Sequence, residues 1–224
     1  MTRHIYLILC AAGALVLATV ASGAGAPGVT SSEVVIGGTT PLSGPASAYQ
    51  SVAKGAAAYF RYVNAHGGVN KRKIKYLYKD DGYDPARTSE QTRELVQQDK
   101  VFAIFNTLGT ANNLAIRSFL NQSKVPQLFS ASGATTLGRD FGQYPYTIGY
   151  IPSYAAEGKI YGQYVVKTRP KAKIAVLYQD DDYGNDLLAG LRKGLGRRAR
   201  QIVAKAGYDP VSYTHLTLPT ICSV

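Results

Sequence analysis

The chain is predicted to fold as an α/β protein: an open parallel sheet covered by helices on both faces, then the beginning of a second, similar lobe. Three observations predict it. From Glu33 to about Asp209, short β-branched or aromatic runs alternate with stretches of helical period. That alternation marks βαβ units, because a parallel pair needs a crossover, usually a helix, between its strands. Helix start and stop signals fall between the runs. Finally, Lys73-Ile-Lys-Tyr-Leu-Tyr-Lys-Asp-Asp-Gly-Tyr-Asp-Pro85 is echoed by Lys173-Ile-Ala-Val-Leu-Tyr-Gln-Asp-Asp-Asp-Tyr-Gly184. Both copies read strand, acidic turn, tyrosine, helix, so the same architecture is expected twice. The first lobe is expected over residues 27–150 and the start of the second over residues 151–210.

The elements follow in order. Val34-Val35-Ile36 is a short β-branched strand, and Gly37-Gly38 after it reads as a tight turn or a close backbone approach. Ala46 to Ala65 is a helix with Val52, Ala56, Tyr59, Phe60 and Val63 on one face. Gly67-Gly68 stops it. Ile74 to Tyr78 is the second strand, and Asp84-Pro85 supplies an N-cap and an N1 proline for a polar helix reaching about Gln98. Val101 to Phe105 is the third strand. Thr110 to Gln122 is a helix with Ala115, Ile116, Phe119 and Leu120 together, and Gln127 to Phe129 is the fourth strand. Tyr146 to Ile151 reads as extended. A helical face of Ala156, Ile160, Tyr161, Tyr164 and Val165 follows, then a strand from Ile174 to Tyr178, then a helix striped by Leu187, Leu188, Leu191 and Leu195.

The two ends read differently from the middle. Arg3 and His4 precede an uncharged apolar run from Ile5 to Val20, and small residues from Ala21 to Ala26 offer cleavage sites after Ala24 or Ala26. The run falls short of the ~20 residues that span a bilayer. Residues 1–26 are therefore expected to be a cleaved export signal, which places the protein in the periplasm or outside the cell. Residues 211–224 contain no Lys, Arg, Asp or Glu, and resemble a translated sequencing-adapter string rather than native sequence. Cys10 and Cys222 fall in these ends, so the middle has no cysteine, as suits an exported chain that folds without disulfides.

Composition removes several functions. The 224 residues allow one or two domains at ~150 residues each. With 46% hydrophobic and 17% charged residues the chain is too apolar to be disordered. The net charge of +11 raises nucleic acid as a partner, but the densest basic spots, Lys71-Arg72-Lys73 and Arg197-Arg198, lack interleaved aromatics and read as solvated surface. His66 is the sole histidine of the middle and sits at a helix end, so no Ser-His-Asp or Cys-His pair has a base. No G-x-S-x-G, H-E-x-x-H or paired C-x-x-C is present. Asp80-Asp81 and Asp180-Asp181-Asp182 follow strands, where carboxylates hold Mg²⁺ or accept phosphate; turn formation and capping is the favoured reading. No catalytic residue, metal site, cofactor or nucleic-acid partner is expected.

Binding chemistry has a natural place. In open α/β sheets a ligand sits beyond the C-terminal ends of the strands. The loops there carry Leu42 to Pro45 and Tyr49, Asn106 to Thr110, Ser130 to Ala134, and Tyr183. Gly109-Thr110 opens a helix, whose free N–H groups and a hydroxyl make a carboxylate site without an arginine. Ser130-Ala-Ser-Gly133 offers a second set of hydroxyls and backbone donors, and Tyr49 and Tyr183 offer apolar walls with a polar tip. The competing account is that these hydroxyls cap helices and these tyrosines pack on the rim; convergence of four loops favours binding. The candidate ligand-binding residues are Tyr49, Leu108, Gly109, Thr110, Ala131, Ser132, Gly133 and Tyr183.

A resemblance rests on six segments: Val34-Val-Ile-Gly-Gly-Thr-Thr-Pro-Leu-Ser-Gly-Pro45, Gly67-Gly-Val69, Asp80-Asp-Gly-Tyr-Asp-Pro85, Phe102-Ala-Ile-Phe-Asn-Thr-Leu-Gly-Thr110, Val125-Pro-Gln-Leu-Phe129 and Asp181-Asp-Tyr-Gly184. In order and spacing they resemble the extracytoplasmic solute-binding proteins of branched-chain amino-acid-type ABC importers, the Leu/Ile/Val-binding protein group with the type I periplasmic binding fold. The resemblance implies two Rossmann-like lobes that close on a ligand like a clamp, in a monomer that delivers it to a membrane permease. It puts Tyr49 and Tyr183 on the ligand, Leu108, Gly109 and Thr110 on its carboxylate, and Ala131 to Gly133 in further carboxylate contacts. Gly109 stands where the amino-acid binders favour Ser, and Gly133 where they often carry Thr. The implied ligand is a branched-chain amino acid or a related aromatic or aliphatic carboxylate or amide. The family's acid for a ligand ammonium falls beyond the last residue here, so the chain as written is expected to be unstable and to bind nothing tightly. A ligand-binding sensor of the same fold is the alternative function, and a secreted enzyme is less favoured.

Overall fold

The longest ladder in the molecule joins β1 (Glu33–Thr40) to β2 (Lys73–Asp80) in parallel, residue for residue from Glu33↔Lys73 to Thr40↔Asp80. On the other side of β1 lies β3 (Ala103–Phe105), then β4 (Gln127–Ser130) and β5 (Thr147–Gly149). The sheet order is β2-β1-β3-β4-β5 with every pair parallel. The order reverses between β1 and β3, so the chain leaves their C-terminal ends in opposite directions and opens a crevice there. The computed structural model describes residues 25–209. Most of the expected export signal, and the uncharged tail, lie outside them.

Helices α1 (Gln50–Ala65), α2 (Pro85–Gln97) and α3 (Thr110–Gln122) supply the crossovers, and a short α4 (Thr136–Arg139) precedes β5. Between α2, α3 and one sheet face lies the apolar core of Leu95, Val101, Ile104, Ile116, Leu120 and Val125. On the other face Phe60 of α1 meets the Tyr76 and Phe105 rings at 5.4 Å each. The signals read at the helix ends have clear causes. Asp84 accepts from the Ala86 N–H at 2.7 Å, capping α2. At the end of α1, Gly67 and Gly68 have φ of +101° and +78° and return N–H bonds to Asn64 and Val63, the pattern that satisfies the last carbonyls of a helix. His66 is the C-cap, its Nδ1 2.8 Å from the Tyr62 carbonyl.

Beyond Ile151 a second parallel pair, β6 (Ile174–Gln179) and β7 (Ile202–Tyr208), carries α5 (Tyr154–Thr168) and α6 (Asp182–Leu195). Asp181 caps α6 through the Tyr183 and Gly184 N–H groups. The strand β7 is an element the hydrophobic pattern does not single out.

Three details depart from the sequence expectations. The first strand runs on to Thr40, so Gly37 and Gly38 lie in the ladder rather than in a turn. Their glycine character is a matter of space: a Cβ at Gly37 would lie 3.1 Å from the Leu95 and Val101 side chains, and one at Gly38 only 2.6 Å from the Phe105 carbonyl oxygen. On α1, Tyr59 is 63% exposed, and Ala53 takes the buried place. Ala115 of α3 is exposed too, where Asn112 and Asn113 are buried.

The largest departure is α5. Ile160 and Tyr164, expected on its inner face, are 62% and 64% exposed, and Tyr161 is exposed as well. The helix instead seats Gly158 and Gly162 against Gly190 and Gly194 of α6. A Cβ at Gly158 would come within 2.2 Å of the Leu187 carbonyl oxygen, and one at Gly190 within 2.2 Å of that of Ala155. Two backbones touch, and no side chain larger than hydrogen fits between them. Gly190→Ala is therefore expected to lower stability by roughly 1–3 kcal/mol in chemical denaturation, as overpacking does. Gly55→Ala on α1, where a Cβ meets nothing within 4 Å, is expected to raise it by up to ~1 kcal/mol through helix propensity.

Candidate functional site

The loops at the C-terminal edge of the first sheet are held by polar side chains buried beneath them. Asn113, fully buried in the first turn and a half of α3, donates from Nδ2 to the carbonyls of Thr107 and Gly109, both at 2.7 Å. Gln127 at the start of β4 donates to Asn113 Oδ1 at 2.9 Å, and Thr147 of β5 donates to Gln127 Oε1 at 2.9 Å. In the other direction Thr39 of β1 donates to the Thr107 hydroxyl at 3.2 Å. Asn112 reaches Thr88 at 2.7 Å, and Thr88 reaches Asp81 at 3.2 Å. One set of hydrogen bonds thus ties β1, the loop after β3, β4 and β5 to the start of α3, and a second ties the loop after β2 and the first turn of α2 to the neighbouring residue of α3.

Backbone strain gathers on the same edge. Tyr83, Asn106 and Phe129 have φ of +66°, +58° and +53°, a region that side-chain-bearing residues seldom enter. Asn106 holds its turn by donating to the Phe129 carbonyl at 2.8 Å. Gly109, the N-cap of α3, has φ +100°, and a Cβ on it would stand 2.5 Å from Asn112 Oδ1 and 2.7 Å from the Tyr83 ring. Only a glycine fits that geometry without strain.

Above these loops lies a cavity of about 550 Å³, within the range of small-molecule sites. One wall is the first sheet's edge and the α1 entrance: Tyr49, Tyr83, Leu108, Gly109, Thr110 and Ala131. The other comes from the second sheet and its helices: Tyr154, Glu157, Gln179, Tyr183 and Tyr208. Tyr150 and Ile151 close the side where the chain crosses between them. Gln179 Nε2 lies 3.5 Å from the Tyr83 hydroxyl across the gap, and the Thr135 N–H donates to Asp186 of α6 at 2.7 Å nearby. The Tyr154 and Tyr183 rings meet edge to face at 4.7 Å.

Of the residues expected in the site, Tyr49, Leu108, Gly109, Thr110, Ala131 and Tyr183 line this cavity together. Ser132 and Gly133 do not. Ser132 is buried one layer below, its hydroxyl 2.6 Å from that of Thr110, and Gly133 lies under the Tyr154 ring with its carbonyl accepting from the Tyr154 N–H at 2.8 Å. Both border a separate recess beside β5. Sequence reasoning did not single out Tyr83, Tyr150, Tyr154, Glu157, Gln179 or Tyr208. The internal echo held one signal: Tyr83 and Tyr183 occupy the same place in its two copies, and both face the cavity.

The pocket is rich in phenols, with Glu157 as the acidic residue among the described lining. Burial pushes the Tyr83 hydroxyl up to about 12. Burial, then the neighbouring Tyr154, Tyr208, Glu157 and Tyr49, raises that of Tyr183. Beneath the rim, two adjacent carboxyls are driven apart. Burial alone would raise Asp80, but the Ser43 hydroxyl and the Gly82, Ser43 and Leu42 N–H groups bring it down to about 2. For fully buried Asp81 burial outweighs the bonds from Tyr83 and Thr88, and its value is raised. Among the described residues no group of His, Cys, Asp and Glu could hold a metal ion. The arrangement can clasp a small molecule between two walls, with a helix N-terminus on one side and aromatic faces on the other.

Comparison with known proteins agrees with this geometry. Residues 33–214 match the family described as periplasmic binding protein. An "Amino acid binding protein" of Pseudomonas aeruginosa is 26% identical over 198 residues, covering 83% of this chain and 47% of that protein. Among solved structures, a solute-binding protein of an ABC transporter from Rhodopseudomonas palustris BisB5, in complex with 3,4-dihydroxybenzoic acid, is similar with a TM-score of 0.65 and 27% identity, over 79% of this chain and 47% of that one. The substrate-binding protein of a branched-chain amino acid transporter from Streptococcus pneumoniae, in complex with isoleucine, is similar with a TM-score of 0.64 and 26% identity, over 79% and 50%. The chain thus spans about half the length of the relatives it matches.

The supports beneath the cavity give two expected outcomes. Asn113→Ala is expected to cost about 2 kcal/mol or more in denaturant melts, since it strips bonds from two buried carbonyls and from Gln127. In acid, Asp80 contributes stability that is present above its ordinary value of 3.8 and lost as pH falls through about 2. Asp81 has the opposite sign, its contribution falling as pH rises above that ordinary value. Stability measured from pH 4 down to pH 2 is expected to decline less steeply in Asp80→Asn than in the parent.

Proposed function

We propose, from the premise that this chain belongs to the periplasmic binding protein family, that the protein it comes from is the extracytoplasmic solute-binding component of an ABC importer. It works in the periplasm or outside the cell. It captures a branched-chain amino acid or a related small carboxylate or amide between two lobes, and hands it to a membrane permease. It is a carrier, not an enzyme.

The observation that carries this reading is the cavity itself. Six candidate residues from four separate loops meet at one hollow of about 550 Å³, at the C-terminal edge of one parallel sheet and facing a second. The roles follow from the atoms present. The first N–H groups of α3 have no intrahelical acceptors, so they and the positive end of the helix dipole suit a carboxylate at Thr110. Tyr49, at the end of the short turn Ser47–Tyr49, is 58% exposed, as befits a ring waiting for something to cover it. Tyr183 faces it from the first turn of α6. The relatives point the same way: one is described as binding amino acids, another was solved with isoleucine, and a third with an aromatic acid.

The test is a thermal-shift screen of the full-length protein against aliphatic and aromatic amino acids and their carboxylate analogues. At least one solute is expected to raise the melting temperature. Tyr49→Ala is expected to weaken that solute's binding roughly tenfold, the worth of one well-packed ring. A protein that responds to none of them, or an affinity that Tyr49→Ala leaves unchanged, would contradict the proposal.

A further inference from the structure

We infer that the edge of the second sheet farthest from the cavity is a docking surface for anionic phospholipid, and that it holds the protein against a membrane. This goes beyond solute binding and uses none of the residues that line the cavity.

Between Gly158 and Gln179, and again between Leu187 and Tyr208, the sequence has no Asp or Glu. The first stretch carries Lys167, Arg169, Lys171 and Lys173 near its middle. The second carries Arg192, Lys193, Arg197, Arg198 and Arg200. Along the chain Arg197-Arg198 is a basic pair at a helix end; the fold makes it part of a larger surface. Both α5 and α6 start at the cavity, with Tyr154 and Tyr183, and both run to the opposite edge of the second sheet. There β6 and β7 begin side by side, Ile174 against Ile202. The 3₁₀ turn Gly196–Gln201 is pinned to the loop between α5 and β6. Arg198 donates to the Val166 carbonyl at 3.2 Å, and Gln201 to that of Pro170 at 2.7 Å. The length of β6, at ~3.3 Å per residue, puts this edge roughly 20 Å from the cavity.

The charges face water. Arg198 is half-buried and the others are exposed, and none of them joins an ion pair among the described residues. A helix dipole favours cations in a last turn, which accounts for Lys167, Arg192 and Lys193. It does not account for the charges of the loop and the 3₁₀ turn, and α1, α2 and α3 end without a Lys or Arg in the last turn. Further βα units join a parallel sheet at its sides, so they lengthen such an edge rather than cover it. Neither Lys167 to Lys173 nor Arg192 to Gln201 contains an aromatic residue. Grooves for single-stranded nucleic acid stack bases on aromatic rings. Exposed lysine and arginine without such rings suit a layer of lipid phosphates, where each one near the surface strengthens attachment roughly fivefold. A carrier that hands its solute to a membrane permease works beside such a layer.

The experiment is co-sedimentation of the full-length protein with two kinds of vesicle: phosphatidylcholine alone, and phosphatidylcholine mixed equally with phosphatidylglycerol. Binding to the mixed vesicles is expected to be at least about tenfold tighter at ~50 mM NaCl, and the preference is expected to vanish at ~500 mM as the charges are screened. Lys171→Gln, Lys173→Gln, Arg197→Gln and Arg200→Gln, made together, are expected to weaken that binding roughly tenfold or more and to leave solute binding unchanged. The control combines Lys54→Gln, Lys75→Gln, Lys100→Gln and Lys124→Gln, which removes the same charge from exposed positions of the first lobe. It is expected to weaken vesicle binding less than about threefold. No preference for the mixed vesicles, or equal weakening by the two variants, overturns the inference. So does tighter binding to random-sequence duplex DNA at the same salt, which assigns the surface to nucleic acid instead.

Discussion

The site depends on one buried side chain. Asn113 holds the carbonyls of Thr107 and Gly109, and through Gln127 it is bonded onward to Thr147 of β5. The loop from Asn106 to Thr110 would otherwise be a strained turn, with φ of +58° at Asn106 and +100° at Gly109. Each bond in the set is worth about 1 kcal/mol net, but leaving any member unpaired in that interior costs ~1–3 kcal/mol. The network therefore acts less as a source of stability than as a constraint: the edge of the sheet is held in the arrangement that pairs Asn113, Gln127 and Thr147 with one another. That arrangement presents the start of α3 and the Leu108–Ala131 bridge to the cavity.

The opposite wall is positioned by contact rather than by hydrogen bonds. The α5 and α6 backbones meet through Gly158, Gly162, Gly190 and Gly194, which fixes their separation with little freedom. Tyr154 starts one of these helices and Tyr183 lies in the first turn of the other, so the rigid pair sets the spacing of the two rings. Asp186 then ties α6 to the Thr135 N–H in the loop between β4 and α4. Two rigid walls joined by few bonds leave a gap that a small solute can fill.

Much of the architecture was legible in the sequence because its signals are local. The cap at Asp84, the double glycine after α1 and the bounds of α3 depend on neighbours within a turn. The inner face of α5 was not legible, because hydrophobic periodicity assumes that large apolar side chains point inward. Here the inward positions are glycines, and Ile160 and Tyr164 face outward. Asn112 and Asn113 were passed over for a related reason: a buried amide is costly until its partners are known, and those partners lie in the loop after β3, on β4 and on α2. Within the site, the loops were readable from strand ends, which found Tyr49, Thr110 and Tyr183. Residues brought in by helix faces or by the ends of β6 and β7, such as Glu157, Gln179 and Tyr208, carry no local mark. Ser132 and Gly133 share a loop with Ala131, yet the chain turns under Tyr154 there and takes them to the layer below.

A crystal structure of the full-length protein, grown with a solute that stabilises it, tests the central claim most directly. The account predicts electron density for the solute in the cavity, its polar end at Thr110 and its body between the Tyr49 and Tyr183 rings. A solute resolved elsewhere on the protein, with that cavity left unfilled, would contradict it.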